Sequence, residues 1–141
     1  MNTTRVLVTG DRNWPCRLGV DRILARLRGR YGDGLVIVHG DCPSGVDAAF
    51  AVACRVAGIR QEPHPADWDR HGKAAGPIRN REMAESHPEF CIAFHRCLAR
   101  SRGTRDCVGH CIKAGIPVYL LDAEDAEPRR LRDLAPSGLM F

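Results

Sequence analysis

The 141-residue sequence has no run approaching the ~20 consecutive apolar residues that a membrane-crossing helix needs, so no transmembrane role is expected. Its seven cysteines are odd in number and irregularly spaced, which argues against a disulfide framework. It has no concentrated basic stretch: 21 basic against 17 acidic residues leave a net charge of +4, too small and too dispersed for the stripe by which nucleic-acid-binding domains neutralise phosphates. Internal repeats and low-complexity tracts are also missing, which excludes a solenoid and a disordered linker. The opening Met1-Asn2-Thr3-Thr4-Arg5 carries no apolar signal region, and a cytoplasmic protein is expected.

What is present is ordinary globular material. A hydrophobic fraction of 44% beside a charged fraction of 27% is enough to build a core. A chain of this length buries roughly 68–70% of its unfolded surface and holds one domain without staples.

The pattern alternates strand and helix. Val6-Leu7-Val8-Thr9, Leu35-Val36-Ile37-Val38, Phe90-Cys91-Ile92-Ala93-Phe94 and Ile116-Pro117-Val118-Tyr119-Leu120-Leu121 read as buried strands. A third strand in chain order, about Ile59 to Pro63, is poor in apolar residues and is expected at an edge. Val20, Ile23, Leu24 and Leu27 follow helical spacing, and Val46, Ala49, Phe50, Ala53, Cys54 and Ala57 form the clearest helical stripe, closed by Gly58. Further helices are expected at about Ile78 to Ser86, from Gly103-Thr104 to near Gly115, and at about Arg129 to Leu134. Pro65 to Pro77 reads as a long loop. The resulting fold class is α/β: a Rossmann-like three-layer sandwich on a mostly parallel five-stranded sheet of order 3-2-1-4-5. Residues 1–122 would form the nucleotide-binding domain and residues 123–141 a C-terminal extension. In such a sheet the ligand sits at the carboxyl ends of the strands, at the switch point between strands one and four.

The segments after the strands carry the candidate chemistry. Thr9-Gly10-Asp11-Arg12 follows strand one: Gly10 allows close backbone approach and Arg12 can reach a phosphate, although an ordinary strand-to-helix turn reads the same way. His39-Gly40-Asp41-Cys42-Pro43-Ser44-Gly45-Val46-Asp47 opens the best helix. Ser44 with Asp47 resembles a capping box, while Gly40 and Gly45 flanking the turn suit an anion at a helix start. In the long loop, Asp67, Trp68, Lys73 and Gly76 precede Arg79 and Asn80 at a helix start. Trp68 either stacks on a base or anchors the loop, and Arg79 and Asn80 are placed to bond a ribose or phosphate. Ser101-Arg102-Gly103-Thr104-Arg105-Asp106 opens the helix after strand four, where Gly103 and Thr104 suit a phosphate cradle. Cys91, His95, Cys97, Cys107, His110 and Cys111 resemble a ligand cluster, but no short pair of cysteines faces a second at zinc-site spacing. They read as buried thiols, so neither metal nor cofactor is called for.

Taken together, Val8-Thr9-Gly10-Asp11-Arg12, His39-Gly40 to Gly45-x-Asp47, Pro65-Ala66-Asp67-Trp68, Gly72-Lys73-Ala74-Ala75-Gly76-Pro77-Ile78-Arg79-Asn80-x-x-Met83 and Ser101-x-Gly103-Thr104 resemble the YspA-like (cpYpsA-related) branch of the SLOG superfamily, over about residues 5 to 121. The resemblance implies a Rossmann-like fold and a nucleotide-derived ligand, and leaves open whether a reaction is catalysed. More distant members of the superfamily include the Lonely Guy phosphoribohydrolases, DNA-processing protein A and molybdenum-cofactor carriers. The phosphoribohydrolases place a catalytic Arg four residues before a Met, as Arg79 and Met83 stand here. Of their Pro-Gly-Gly-x-Gly-Thr-x-x-Glu run only Gly103-Thr104 remains, with Cys107 where the catalytic Glu would be. Asp106 is one residue early, about 100° away around a helix of 3.6 residues per turn.

Three functions compete. The first is a sensor or carrier of a nucleotide or nucleotide-derived small molecule. The second is a nucleotide N-glycosidic hydrolase, with Arg79 on phosphate and Asp106, Glu82, Asp47 or Asp11 as the carboxylate near the ribose. The third, disfavoured by the charge, is a nucleic-acid-binding module. The apolar end Leu139-Met140-Phe141 leaves a homodimer open.

Overall fold

A computed structural model describes residues 2–134. One sheet runs through the molecule, built from β1 (Thr4–Gly10), β2 (Leu35–His39), β3 (Arg60–Pro63), β4 (Phe90–Phe94), β5 (Val118–Leu121) and β6 (Arg129–Leu131) in the order β3-β2-β1-β4-β5-β6. The first five are parallel, and β6 pairs antiparallel with β5. The helices are α1 (Arg17–Tyr31), α2 (Gly45–Ala57), the short α3 (Trp68–His71), α4 (Ala75–Glu85) and α5 (Gly103–Lys113).

The strand period of two sorts the core into two layers. Val6 and Val8 of β1 point to one face, where Val20, Ile23, Leu24 and Leu27 of α1 and Val46, Phe50 and Cys54 of α2 cover them. Leu7 points to the other, beneath Met83 and Ala84 of α4 and Cys107, Val108 and Cys111 of α5. Phe50 and Phe94 meet edge to face with ring centroids 5.2 Å apart. All seven cysteines are free, and five of them, Cys16, Cys54, Cys91, Cys107 and Cys111, are buried. Burial pushes the Cys16 thiol up to about 11 and the Cys54 thiol up to about 12, as expected of inert core sulfur. Among the described residues no group of three or more His, Cys, Asp or Glu is arranged to hold a metal ion, and no helix is long and apolar enough to cross a membrane.

The sheet carries the expected order, extended by one strand, and the local expectations fail at two places. The segment expected as a helix at 129–134 instead contains β6. The open edge of β5 offers backbone ladder partners that an isolated short helix lacks. Arg130 lies over the Tyr119 ring, 5.7 Å from its centroid, and Leu131 packs against the α4–α5 side of the core. The run 65–77 is not a long loop. Asp67 caps α3 by accepting from the Arg70 N–H at 3.1 Å, a 3-10 turn covers Gly72–Ala74, and α4 starts three residues before Ile78. Pro77 falls in the first turn of α4, where its missing N–H has no intrahelical partner to lose. The Leu139-Met140-Phe141 end lies outside the described residues.

Candidate functional site

The carboxyl ends of β1, β2 and β4 open into a cavity of about 440 Å³ at the β1–β4 switch point. Its position follows from topology: β1 lies centrally, and the chain leaves it and β4 toward opposite faces. The described residues include five buried polar or charged side chains, and four of these, Thr9, Asp47, Asn80 and Thr104, line this cavity. The fifth, His39, holds the same 40–42 turn that Asp47 holds.

Arg79 connects the back of the site. Its Nε donates to Asn80 Oδ1 at 3.0 Å, and its Nη1 donates to the carbonyls of Gly40 and, at 3.3 Å, His64. One side chain from α4 thus ties down the segments that leave β2 and β3. A Cβ on Gly40 would come within 2.6 Å of that Nη1 and 3.1 Å of Asp47 Oδ2, so only glycine leaves room for the guanidinium at that carbonyl.

Asp47 extends from the first turn of α2. Burial pushes its carboxyl above the usual range, while the Cys42 N–H, which donates to Oδ2 at 3.3 Å, and the charge of Arg79 pull it back. The expected capping box does not form. Ser44 Oγ donates instead to the Arg12 carbonyl at 2.9 Å, and Asp47 serves the 40–42 turn rather than the helix end. That turn is shaped by His39. Its Nδ1 accepts from the Asp41 N–H at 3.0 Å, which leaves Nε2 as the protonated nitrogen, donating to Gln61 Oε1 at 2.8 Å. Asp41 is held at a φ of 56°.

Asn80 is fully committed. Its Nδ2 donates to the Gly103 carbonyl at 3.3 Å and to Asp106 Oδ2 at 3.0 Å, while Oδ1 receives Arg79. It holds α5 against α4 and has no N–H left for a ligand. Asp106 is occupied on the same contact, with its other oxygen 3.5 Å from His110 Nε2, and it does not line the cavity. At the start of α5, Ser101 Oγ accepts from the Thr104 and Arg105 N–H groups at 3.0 and 3.4 Å. The expected backbone cradle at Gly103-Thr104 is therefore largely filled by the chain itself.

Gly10 and Gly45 serve close approach of chain to chain. A Cβ on Gly10 would lie 2.5 Å from Val46 Cγ2, and one on Gly45, whose φ is 67°, would overlap the Asp11 carbonyl and the Arg12 Cα. Val46 N–H donates to the Asp11 carbonyl at 3.2 Å across this seam. The close packing sets Asp11 and Arg12 at the cavity edge. Asp11 Oδ1 accepts from the Asn13 N–H at 2.8 Å, and its Oδ2 stands 3.7 Å from His95 Nε2.

Of the residues singled out in the sequence, Gly10, Asp11, Arg12, Gly40, Asp47, Arg79, Asn80, Gly103 and Thr104 line one cavity, with Gly45 packed behind it. Asp67, Trp68, Lys73 and Gly76 do not line it. Trp68 is 54% exposed and lies outside the cavity lining, so it neither stacks inside the cavity nor anchors a loop in the core. Sequence reasoning passed over His95, Arg100 and Arg102 as ligand contacts. The signal for the two arginines was present, since they immediately precede a helix start at the switch point. His95 had been weighed only as a metal ligand. Arg12, Arg100 and Arg102 are exposed and, among the described residues, form no ion pair.

Fold and cavity define the class: a Rossmann-like α/β protein with a polar, arginine-edged cleft at the switch point of its sheet. A family model described as the YspA, cpYpsA-related SLOG family matches residues 4–71. The Gene 61 protein of Mycobacterium phage D29 is 45% identical over 118 residues, which cover 81% of this chain and 93% of that protein. The chain belongs to the YspA, cpYpsA-related SLOG family.

Three stability predictions come from this geometry. Gly45→Ala forces a side chain into the left-handed region and onto the 11–12 turn and is expected to cost about 2–4 kcal/mol in urea unfolding. Gly29→Ala, in α1 with nothing within 4 Å of the new Cβ, is expected to gain up to about 1 kcal/mol. The third concerns Asp47. An Asp whose folded pKa lies above its ordinary 3.8 binds more protons folded than unfolded, so its stability contribution falls as pH rises from 3.8 through the folded pKa and is constant beyond. Asp47→Asn should therefore be more stable than the parent at pH 7, with the difference shrinking toward pH 4. A variant less stable at pH 7 would show that the Arg79 and Cys42 contacts outweigh the burial cost.

Proposed function

We propose that this chain binds a nucleotide or nucleotide-derived small molecule in the switch-point cleft and acts as its sensor or carrier. One observation carries the reading: Arg12, Arg100 and Arg102, three guanidiniums that have no carboxylate partner among the described residues, edge a cavity that also presents the carboxylates of Asp11 and Asp47. Guanidiniums bind phosphate oxygens bidentately, and carboxylates accept from sugar hydroxyls. The volume lies in the range of small-molecule sites. Because Ser101 takes the Thr104 and Arg105 N–H groups, the arginines more than the start of α5 supply the anion affinity. Membership of the SLOG family supports a nucleotide-related ligand.

Calorimetry against nucleotides, cyclic dinucleotides and ADP-ribose derivatives tests this. Arg12→Ala and Arg102→Ala are each expected to weaken the ligand that binds by about tenfold, corresponding to loss of one charge-assisted contact. The affinity should fall as salt is raised. No heat of binding with any of these compounds ends the reading.

A second reading, N-glycosidic hydrolysis of nucleotides, is favoured by one feature. Asp47 is a buried carboxyl, raised by desolvation, inside the cavity and close to the Arg79 guanidinium. It replaces Asp106 as the group able to stabilise an oxocarbenium-like transition state. Incubation with each common nucleoside monophosphate, followed by chromatography, should release free base, and Asp47→Asn should abolish that release. No base from any of them removes the hydrolase.

A further inference from the structure

Resting on the nucleotide-cleft reading above, we propose that the cleft recognises the phosphorylated ribose of its ligand and leaves the base unread. The argument is an inventory of what the cavity offers. Reading a base takes a flat surface for stacking or an amide-type group with a free donor and acceptor side by side. Among the described residues no Phe, Tyr or Trp lines the cavity. The one ring that does, His95, is fixed at Nδ1, which accepts from the Cys97 N–H at 2.9 Å, with Nε2 3.7 Å from Asp11 Oδ2. Asn80, the buried amide, has spent both N–H groups on Gly103 and Asp106 and its oxygen on Arg79. The other lining amide, Asn13, is exposed at the rim.

What remains uncommitted matches the other half of a nucleotide. Arg12 stands on the turn after β1, and Arg100 and Arg102 stand on the segment after β4, so cationic donors come from both sides of the switch point. Asp11 Oδ2 has no closer partner than His95 at 3.7 Å, and it can accept from a ribose hydroxyl. Guanidinium for phosphate and carboxylate for sugar hydroxyl account for the charged groups at the rim, and inside it the Thr9 and Thr104 hydroxyls stand singly rather than as the side-by-side donor and acceptor that read a purine or pyrimidine edge. The base then points outward past Asn13.

The test is calorimetric titration of the full chain with AMP, GMP, CMP, UMP, ribose 5-phosphate and adenosine. The four nucleotides are expected within about threefold of one another, ribose 5-phosphate within about tenfold of them, and adenosine at least about a hundredfold weaker, since it forfeits the arginine contacts. Asp11→Asn should weaken AMP and ribose 5-phosphate by the same factor. Affinities that spread by more than about tenfold with the base, or an Asp11→Asn effect seen with AMP and not with ribose 5-phosphate, overturn this inference while leaving nucleotide binding standing. If none of the phosphorylated compounds binds, the inference and the nucleotide reading beneath it both fall.

Discussion

The site depends on the Arg79 guanidinium. Strands that end side by side leave carbonyls facing the same space, and some cation or donor must satisfy them or the segments after the strands splay apart. Arg79 does this for Gly40 and His64 while bonding Asn80 beside it and neutralising part of the charge of Asp47. Three segments far apart in sequence are joined through one planar fork whose donors suit this geometry better than an ammonium would.

From that centre the order spreads outward through saturated groups. Asn80 passes it to α5 through Gly103 and Asp106, His39 fixes the 40–42 turn through Asp41, and Ser101 closes the first turn of α5. Among the described residues no buried side-chain nitrogen or oxygen lacks a hydrogen-bond partner. A network filled this way is preorganised: the inner wall need not rearrange when a ligand arrives, and ordering on binding is confined to exposed arginine side chains at the edge. The division is physical. Buried polar groups are spent on holding shape, and exposed charges are left free to bind.

Much of this was legible beforehand. Apolar four- and five-residue runs separated by helical stripes identified β1, β2, β4, α1 and α2, because burial on both faces of a parallel strand leaves no choice of residue type. Of Gly10, Gly45, Arg79 and Thr104, expected to converge on one rim, three line the cavity and Gly45 packs behind it, since parallel topology sends every strand's carboxyl end the same way. The misses share a cause. Arg129 to Leu131 has no local preference strong enough to resist an unpaired sheet edge, and α3 depends on a single Asp67 cap. Asp106 and Asn80 looked like ligand contacts until their partners were known to be each other.

The order of residues alone settled the layers, the strand sequence and the rim at which polar residues gather, because hydrophobic periodicity and the handedness of crossovers act along the chain and admit few arrangements. Only the tertiary structure decided which of those residues remain available. Whether a donor is free depends on whether a partner from another segment reaches it within about 3 Å. The Thr104 N–H, Asn80 and one oxygen of Asp106 are consumed by such neighbours, whereas among the described residues Arg12, Arg100, Arg102 and Asp11 Oδ2 are not.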